Sequence, residues 1–217
     1  MNFQRARSSE QRRSRIDAIV GAAAEIFDQT GYEGLNFSAI AEKTALTRPA
    51  VYKYFSSKED ILLKLMSDDF EQWVVNLVKS FKLNKLYTTN EIAEIWARSI
   101  VSRKRMLNLF VIFNTILEKK ASLDSLTAFK VSSGKSLGVI HDLVGQLFPN
   151  ATETQIKRFV PVQLALALGL YPMTIISDIH KQAVVRAQIG SLPAFAPTYE
   201  KSLTQLMHFM ESADPGE

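Results

Sequence analysis

The stretch from Asn36 to Lys58 reads N-F-S-A-I-A-E-K-T-A-L-T-R-P-A-V-Y-K-Y-F-S-S-K, and it divides into two short helices around a tight turn. Asn36 is suited to cap the first helix, because its side chain can accept from the unpaired N–H groups one turn in. Behind it Phe37, Ile40 and Ala41 share one buried face. Ala45-Leu46-Thr47 makes the turn. Thr47 caps the second helix, and Arg48 and Pro49 fill its first turn, where the N–H that proline lacks has no helical partner anyway. Val51 and Phe55 lie four apart on the inward stripe, so Pro49, Tyr52 and Lys53 face elsewhere. Tyr52-Lys53-Tyr54 then presents phenol and ammonium donors together, a combination suited to phosphate oxygens. Ser56 and Glu59 have the spacing of a capping box for a longer helix. That puts Lys58 at a helix N-terminus, another position that favours a phosphate.

Helix pairs of this spacing also occur inside many all-helical cores, so spacing alone does not separate packing from DNA binding. Charge favours DNA. Lys43, Arg48, Lys53 and Lys58 stand against Glu42 alone in the stretch, and Arg5, Arg7, Arg12, Arg13 and Arg15 stand against Glu10 in the first fifteen residues. Two basic segments of net +3 and +4 make an electrostatic footprint for a polyanion. Residues 1–10 are too polar to fold alone and read as a basic arm, whose arginines either reach a phosphate or a minor groove, the favoured reading, or simply keep the chain soluble.

Arg15 to Met66 closely resembles the DNA-binding domain of TetR-type transcriptional regulators, over about a quarter of the chain. The resemblance is carried by I-D-A-I-V-G-A-A-A-E-I-F-D-Q-T-G-Y-E-G, with its helix ending in Phe27 and Gly31-Tyr32, then by I-A-E-K-T, V-Y-K-Y-F and S-K-E. It implies that Ser38, Thr47, Arg48, Pro49, Tyr52, Lys53, Tyr54 and Lys58 approach DNA, while Phe27, Ile40, Val51 and Phe55 hold a three-helix core. Ser38 is short where some relatives carry a long basic side chain, which argues against base readout by that helix. Ala45 stands where glycine is common, which hints at a turn that need not take positive φ.

With 217 residues, 47% of them hydrophobic, the chain has ample material for a core. It contains no cysteine, which excludes disulfides, thiol catalysis and cysteine metal sites. The opening M-N-F-Q-R-A-R-S-S-E lacks an apolar signal segment, which points to the cytoplasm. Ile16, Ile19, Val20, Ala23 and Phe27 form a helical stripe that Gly31 ends. A long helix runs from Ser57 to about Leu83 with Trp73 in its core face, and a connector at 84–90 leads to a helix at 91–102. Arg103-Lys104-Arg105 reads most simply as a solvated helix junction, with sensing of an anion as the alternative. Met106 to Leu117 is nearly all apolar and reads as a central buried helix, with Asn114 needing a partner inside it.

Ser122 to Phe148 is a further helix, closed by Pro149-Asn150, and His141 is a core or surface histidine. Ser133-Gly134-Lys135-Ser136 imitates a phosphate loop, but Phe129 occupies the place of its first glycine and no strand precedes it. From Thr152 to about Ser177 the chain reads as a helix buried on several sides, with Gln163, Ala165, Ala167 and Gly169 leaving room for close contact. Pro161, Gln163 and Pro172 argue against a membrane span. Residues 178–197 read as irregular, 198–210 as the last helix and 213–217 as a disordered tail.

The expected fold is all-α: the arm, a helix-turn-helix DNA-binding domain at 11–56, and a helical effector-binding and dimerisation domain at 57–212. The resemblance implies a homodimer through the helices around 152–177 and 198–210, whose two recognition helices read a palindrome at about 34 Å separation. It also implies a small-molecule effector that shifts this spacing and releases DNA, by a coupling of roughly 1–3 kcal/mol. Trp96, Phe110, Phe113, Asn114, Gln163, Leu170 and Tyr171 are the candidate lining, apolar with few polar atoms, for a neutral lipophilic effector. No cofactor is expected, and the motifs of hydrolases, metalloproteases and nucleotide-binding enzymes are missing. The competing class is a helical protein-interaction module without specific DNA binding.

Overall fold

The computed structural model describes residues 2–82, 85–188, 190 and 193–211, with side chains from Ser9 onward. All regular structure among them is helical: α1 (Asn2–Gly34), α2 (Phe37–Thr44), α3 (Arg48–Tyr52), α4 (Lys58–Ser80), α5 (Thr89–Val101) and α6 (Lys104–Ile112). A π-helical turn (Phe113–Leu117), α7 (Glu118–Lys120), α8 (Leu123–Leu147), α9 (Glu153–Thr174), α10 (Asp178–Arg186) and α11 (Phe195–Glu211) complete the order. The chain forms two compact units. One comprises Met1–Asp69 with Ile112–Ser132, the other Phe70–Val111 with Ser133–Glu217.

In the first unit α1 packs on α2 and α2 on α3. Ile19, Val20, Ala23 and Phe27 of α1, Phe37, Ile40 and Ala41 of α2 and Val51 of α3 are buried, as their spacing requires, while Phe55 is half-buried. Gly31 breaks α1 at φ 69°, a left-handed conformation that glycine adopts without steric cost. The helix reaches back to Asn2, so the arm is helical and continuous with α1 rather than unfolded. Ala45 also departs from expectation. It ends α2 in the left-handed region, φ 53° and ψ 27°, because its N–H must turn back to the carbonyls of Ala41 and Glu42. The cap of α4 is displaced by one residue: Ser57, not Ser56, accepts from the N–H of Asp60 at 3.1 Å, and Glu59 is taken by another partner.

The second unit is built on a ring cluster. Trp73 meets Phe70 and Trp96 at centroid distances of 5.6 and 6.3 Å, and Trp96 meets Phe159 at 5.5 Å. α11 packs on α5 and α9, burying Tyr199, Leu203, Met207 and Met210. Gln163 lies inside this packing at 1% exposure, and all of its polar atoms are used. Its Oε1 accepts from Trp96 Nε1–H at 3.1 Å and from Tyr199 O–H at 3.0 Å, and its Nε2 donates to the Val160 carbonyl at 3.1 Å.

Three expectations for the later helices are corrected. Residues 106–117 are not one buried helix: a π turn interrupts them at Phe113, and Val111, Asn114 and Thr115 face outward, so Asn114 needs no buried partner. α9 is buried on one side only, with Pro161, Val162, Ala165, Gly169 and Met173 exposed. The stretch after it contains α10, which Ser177 caps by accepting from the N–H of His180 at 3.2 Å. The expected tail at 213–217 lies outside the described residues. No single helix among the described residues is long and apolar enough to cross a membrane.

The left-handed alanine generates a stability prediction. Ala45→Gly relieves the Cβ clash but loosens the unfolded chain, so urea denaturation should show a net gain of about 0.5–1 kcal/mol. A loss of stability would mean that the turn is not held in this conformation.

Candidate nucleic-acid interface

α2 and α3 are positioned by their caps. The Asn36 side chain accepts from the N–H of Ala39 at 3.0 Å, and Thr47 Oγ1 accepts from the N–H of Ala50 at 3.3 Å. α3 is only five residues long, too short to persist unaided, so its pose depends on buried Val51, on the turn at Ala45 and on the chain's entry into α4.

With Val51 inward, Arg48, Pro49, Tyr52 and Lys53 of the recognition segment are exposed, as is Ser38 on α2, while Tyr54 is half-buried. Tyr52 is 47% exposed yet held: its ring stacks on Phe37 at 4.2 Å with 8° between planes. The guanidinium of Arg48 lies 5.7 Å from that ring, and its Nη2 donates to Tyr52 Oη at 3.3 Å. On the other side of the segment Arg12 of α1 sits 5.5 Å over the Tyr54 ring. The structure therefore brings Arg48, Pro49 and Tyr52 onto one short exposed helix, with Thr47 capping its start and Lys53 its end.

Two of the four basic residues in the stretch are engaged by the protein itself. Lys43 pairs with Glu25 of α1 at 2.6 Å. Lys58 is partly buried; its Nζ donates to the Tyr32 carbonyl at 2.9 Å and lies 3.8 Å from the Tyr32 ring centroid. Lys58 thus commits one of its three donors to Tyr32.

Tyr32 belongs to a polar knot that sequence spacing gives no sign of. Its hydroxyl donates to Glu59 Oε1 at 2.5 Å, and the Lys120 ammonium donates to the same hydroxyl at 3.4 Å. Burial first, and the bond to Glu59 second, push the phenol pKa well up, so Tyr32 stays protonated and donating at neutral pH. Beside it Asp60, 2% exposed, accepts from both the backbone N–H and the hydroxyl of Ser122, at 2.8 and 2.9 Å. Ser122 in turn accepts from the N–H of Ser125, so the residue that caps α8 is tied to the start of α4. The stacking role of Phe37 was also hidden, because its spacing marks it only as core.

The seven candidate effector residues are divided between the two units. Phe113 and Asn114 fall in the first unit, the former 5.2 Å from Phe129 and the latter exposed. The other five belong to the second unit. Trp96 and Gln163 are hydrogen-bonded core, Phe110 packs edge-on to Phe70 at 5.6 Å, Tyr171 O–H donates to the Lys104 carbonyl at 3.4 Å, and Leu170 is half-buried. Among the described residues no group of three or more histidine or acidic side chains is placed to hold a metal ion.

The knot at the start of α4 yields a prediction. Asp60→Ala leaves the partly buried Ser122 N–H without its acceptor and should cost about 1–3 kcal/mol by denaturation, whereas Ser122→Ala, which keeps that N–H bonded, should cost less. Equal losses would show that the backbone bond to Asp60 contributes little.

Comparison with known families and structures agrees with this architecture. Residues 19–65 match the family described as bacterial regulatory proteins, tetR family, and residues 67–212 match the one described as tetracyclin repressor-like, C-terminal domain. The fatty acid metabolism regulator protein of Bacillus subtilis is 30% identical over 73 residues, which is 34% of this chain and 38% of that protein. The chain thus aligns with well under half the length of that curated relative. A transcriptional regulator from Rhodococcus sp. Rha1 shares the fold at TM-score 0.59 and 13% identity, over 92% of this chain and 99% of that one. The fatty acid degradation regulator FadR from Bacillus halodurans does so at 0.52 and 15%, over 89% and 94%.

Proposed function

The chain belongs to the tetR family of bacterial regulatory proteins, and from that premise we propose that it is a non-enzymatic, cytoplasmic, sequence-specific DNA-binding regulator that works as a homodimer on a palindromic operator. The observation that carries the reading is the exposed face of α3. Arg48, Tyr52 and Lys53 crowd donors onto one short helix and its C-cap, a segment capped at its start by Thr47 and backed by a buried core. A face of phenol, guanidinium and ammonium groups suits a phosphate backbone and the base edges next to it. A protein-interaction module gives no reason for that composition.

Dimerisation is supported by the surface of the second unit. The exposed side of α9 and the neighbouring side of α11 present Val162 and Phe209, each 40% exposed, beside a recess of 190 Å³ that Phe159, Leu206 and Met210 also line. An apolar face of this kind on the two helices expected at the interface suits a second copy of the chain. Two short recognition helices, held at a fixed spacing, supply the contact area that one lacks.

Repression follows from occupancy of the operator, with release by a small lipophilic effector in the helical second unit. The names of the relatives from the two Bacillus species, both regulators of fatty acid metabolism or degradation, support an apolar effector class.

Binding to duplex DNA should weaken steeply with salt, by about 10³-fold or more between 50 and 200 mM. Lys53→Ala should lower affinity at every sequence and reduce the salt slope by about 1 per subunit, and Tyr52→Ala should also weaken binding. Anisotropy titrations in which both variants match the parent would sink the assigned docking face. Separately, Val162→Glu or Phe209→Glu should convert dimer to monomer in sedimentation equilibrium; an unchanged mass would remove α9 and α11 from the interface.

A further inference from the structure

We propose that Arg48 is the base-reading residue of this surface, that it selects a guanine in the major groove, and that Tyr52 and Phe37 are the positioning residues that hold it. The assignment rests on the DNA-reading surface argued above.

Arg48 is the first residue of α3, and it is exposed. When a helix of this motif enters the major groove, the residues at its N-terminal end meet base edges while the first helix of the motif crosses the backbone. Of the other exposed side chains of the segment, Pro49 carries no donor, Tyr52 is held in its stack on Phe37, and Lys53, the C-cap, lies more than a turn beyond Arg48. The other two lysines of the stretch are withdrawn, Lys43 onto Glu25 and Lys58 onto Tyr32. Arg48 is thus the cation at the end of the helix that points at bases.

Its chemistry narrows the base. A guanidinium is a planar fork of five N–H donors with no acceptor, and guanine is the base that offers two acceptors, N7 and O6, side by side in the major groove. Adenine sets a donor beside its acceptor and is matched by asparagine or glutamine instead. A long flexible arginine discriminates well only if it is held before it binds, and here it is. Phe37, anchored in α2, supports the Tyr52 ring in a stack of 4.2 Å. Tyr52 in turn takes one N–H of Arg48 on its hydroxyl, with the guanidinium 5.7 Å from its ring centroid. One donor serves the tyrosine, and the remaining fork is available to a base.

The test is selection of binding sites from random duplex DNA by the full chain, with Arg48→Gln, Arg48→Lys and Tyr52→Phe alongside the parent. The parent should enrich an inverted repeat with a guanine at one position in each half. Arg48→Gln should keep the rest of that motif but lose the guanine, with affinity for the guanine-bearing site down by about 10-fold or more. Arg48→Lys, which keeps the charge but not the fork, should retain a weakened preference. Tyr52→Phe preserves the stack and the fold, so a preference for guanine that falls at that one position, with helical content unchanged, would mark Tyr52 as positioning Arg48. An Arg48→Gln variant that selects the parent's base at every position, with only a uniform loss of affinity and a shallower salt slope, would make Arg48 a phosphate contact and overturn the assignment. Unchanged selection by Tyr52→Phe would overturn the positioning role. If the parent enriched no sequence, the DNA-reading surface itself would fail and take this assignment with it.

Discussion

Glu59 and Asp60 are almost fully buried at the first turn of α4, and the first unit depends on how their charges are satisfied. Carboxylates there gain from the unpaired N–H groups and the positive end of the helix, but buried charge is tolerated only when it is also hydrogen-bonded. Glu59 takes the Tyr32 hydroxyl, and Asp60 takes the backbone and side chain of Ser122. Two adjacent residues thereby tie the end of α1 and the start of α8 to one helical turn. α3 precedes that turn by a few residues and is too short to set its own direction, so the knot fixes the chain's exit from the recognition helix.

The same knot sorts the basic residues by role. Lys58 and Lys120 gather around Tyr32, and Lys43 neutralises Glu25, so these cations serve the unit's own cohesion. Arg48 and Lys53 remain on the outer face, joined by Tyr52 and, across the Tyr54 ring, by Arg12. A net charge counted along the sequence treats these cations as equal, and the folded unit does not.

How far the sequence could be read depended on the range of the interaction. The caps at Asn36 and Thr47, the inward Phe37, Ile40, Ala41 and Val51, and the long helix through Trp73 follow from local spacing, and all are present. The family resemblance covered the same local stretch. What stayed hidden was contact across distance: Tyr32 with Glu59 and Lys58, Asp60 with Ser122, and Gln163 with Trp96 and Tyr199. Ala45 misled because alanine rarely takes positive φ, yet closing α2 at the carbonyls of Ala41 and Glu42 outweighs that cost. Met106 to Leu117 misled because composition does not say which side faces solvent, and Val111, Asn114 and Thr115 do.

The central claim is that two copies present α3 to DNA at a fixed spacing, and the most direct measurement is the stoichiometry and affinity of the complex on a selected inverted repeat against a single half-site. The account predicts two chains per repeat in sedimentation, with half-sites about 34 Å apart, and binding to the isolated half-site weaker by orders of magnitude. Equal affinity for the half-site and the repeat, with one chain bound to each, would contradict it.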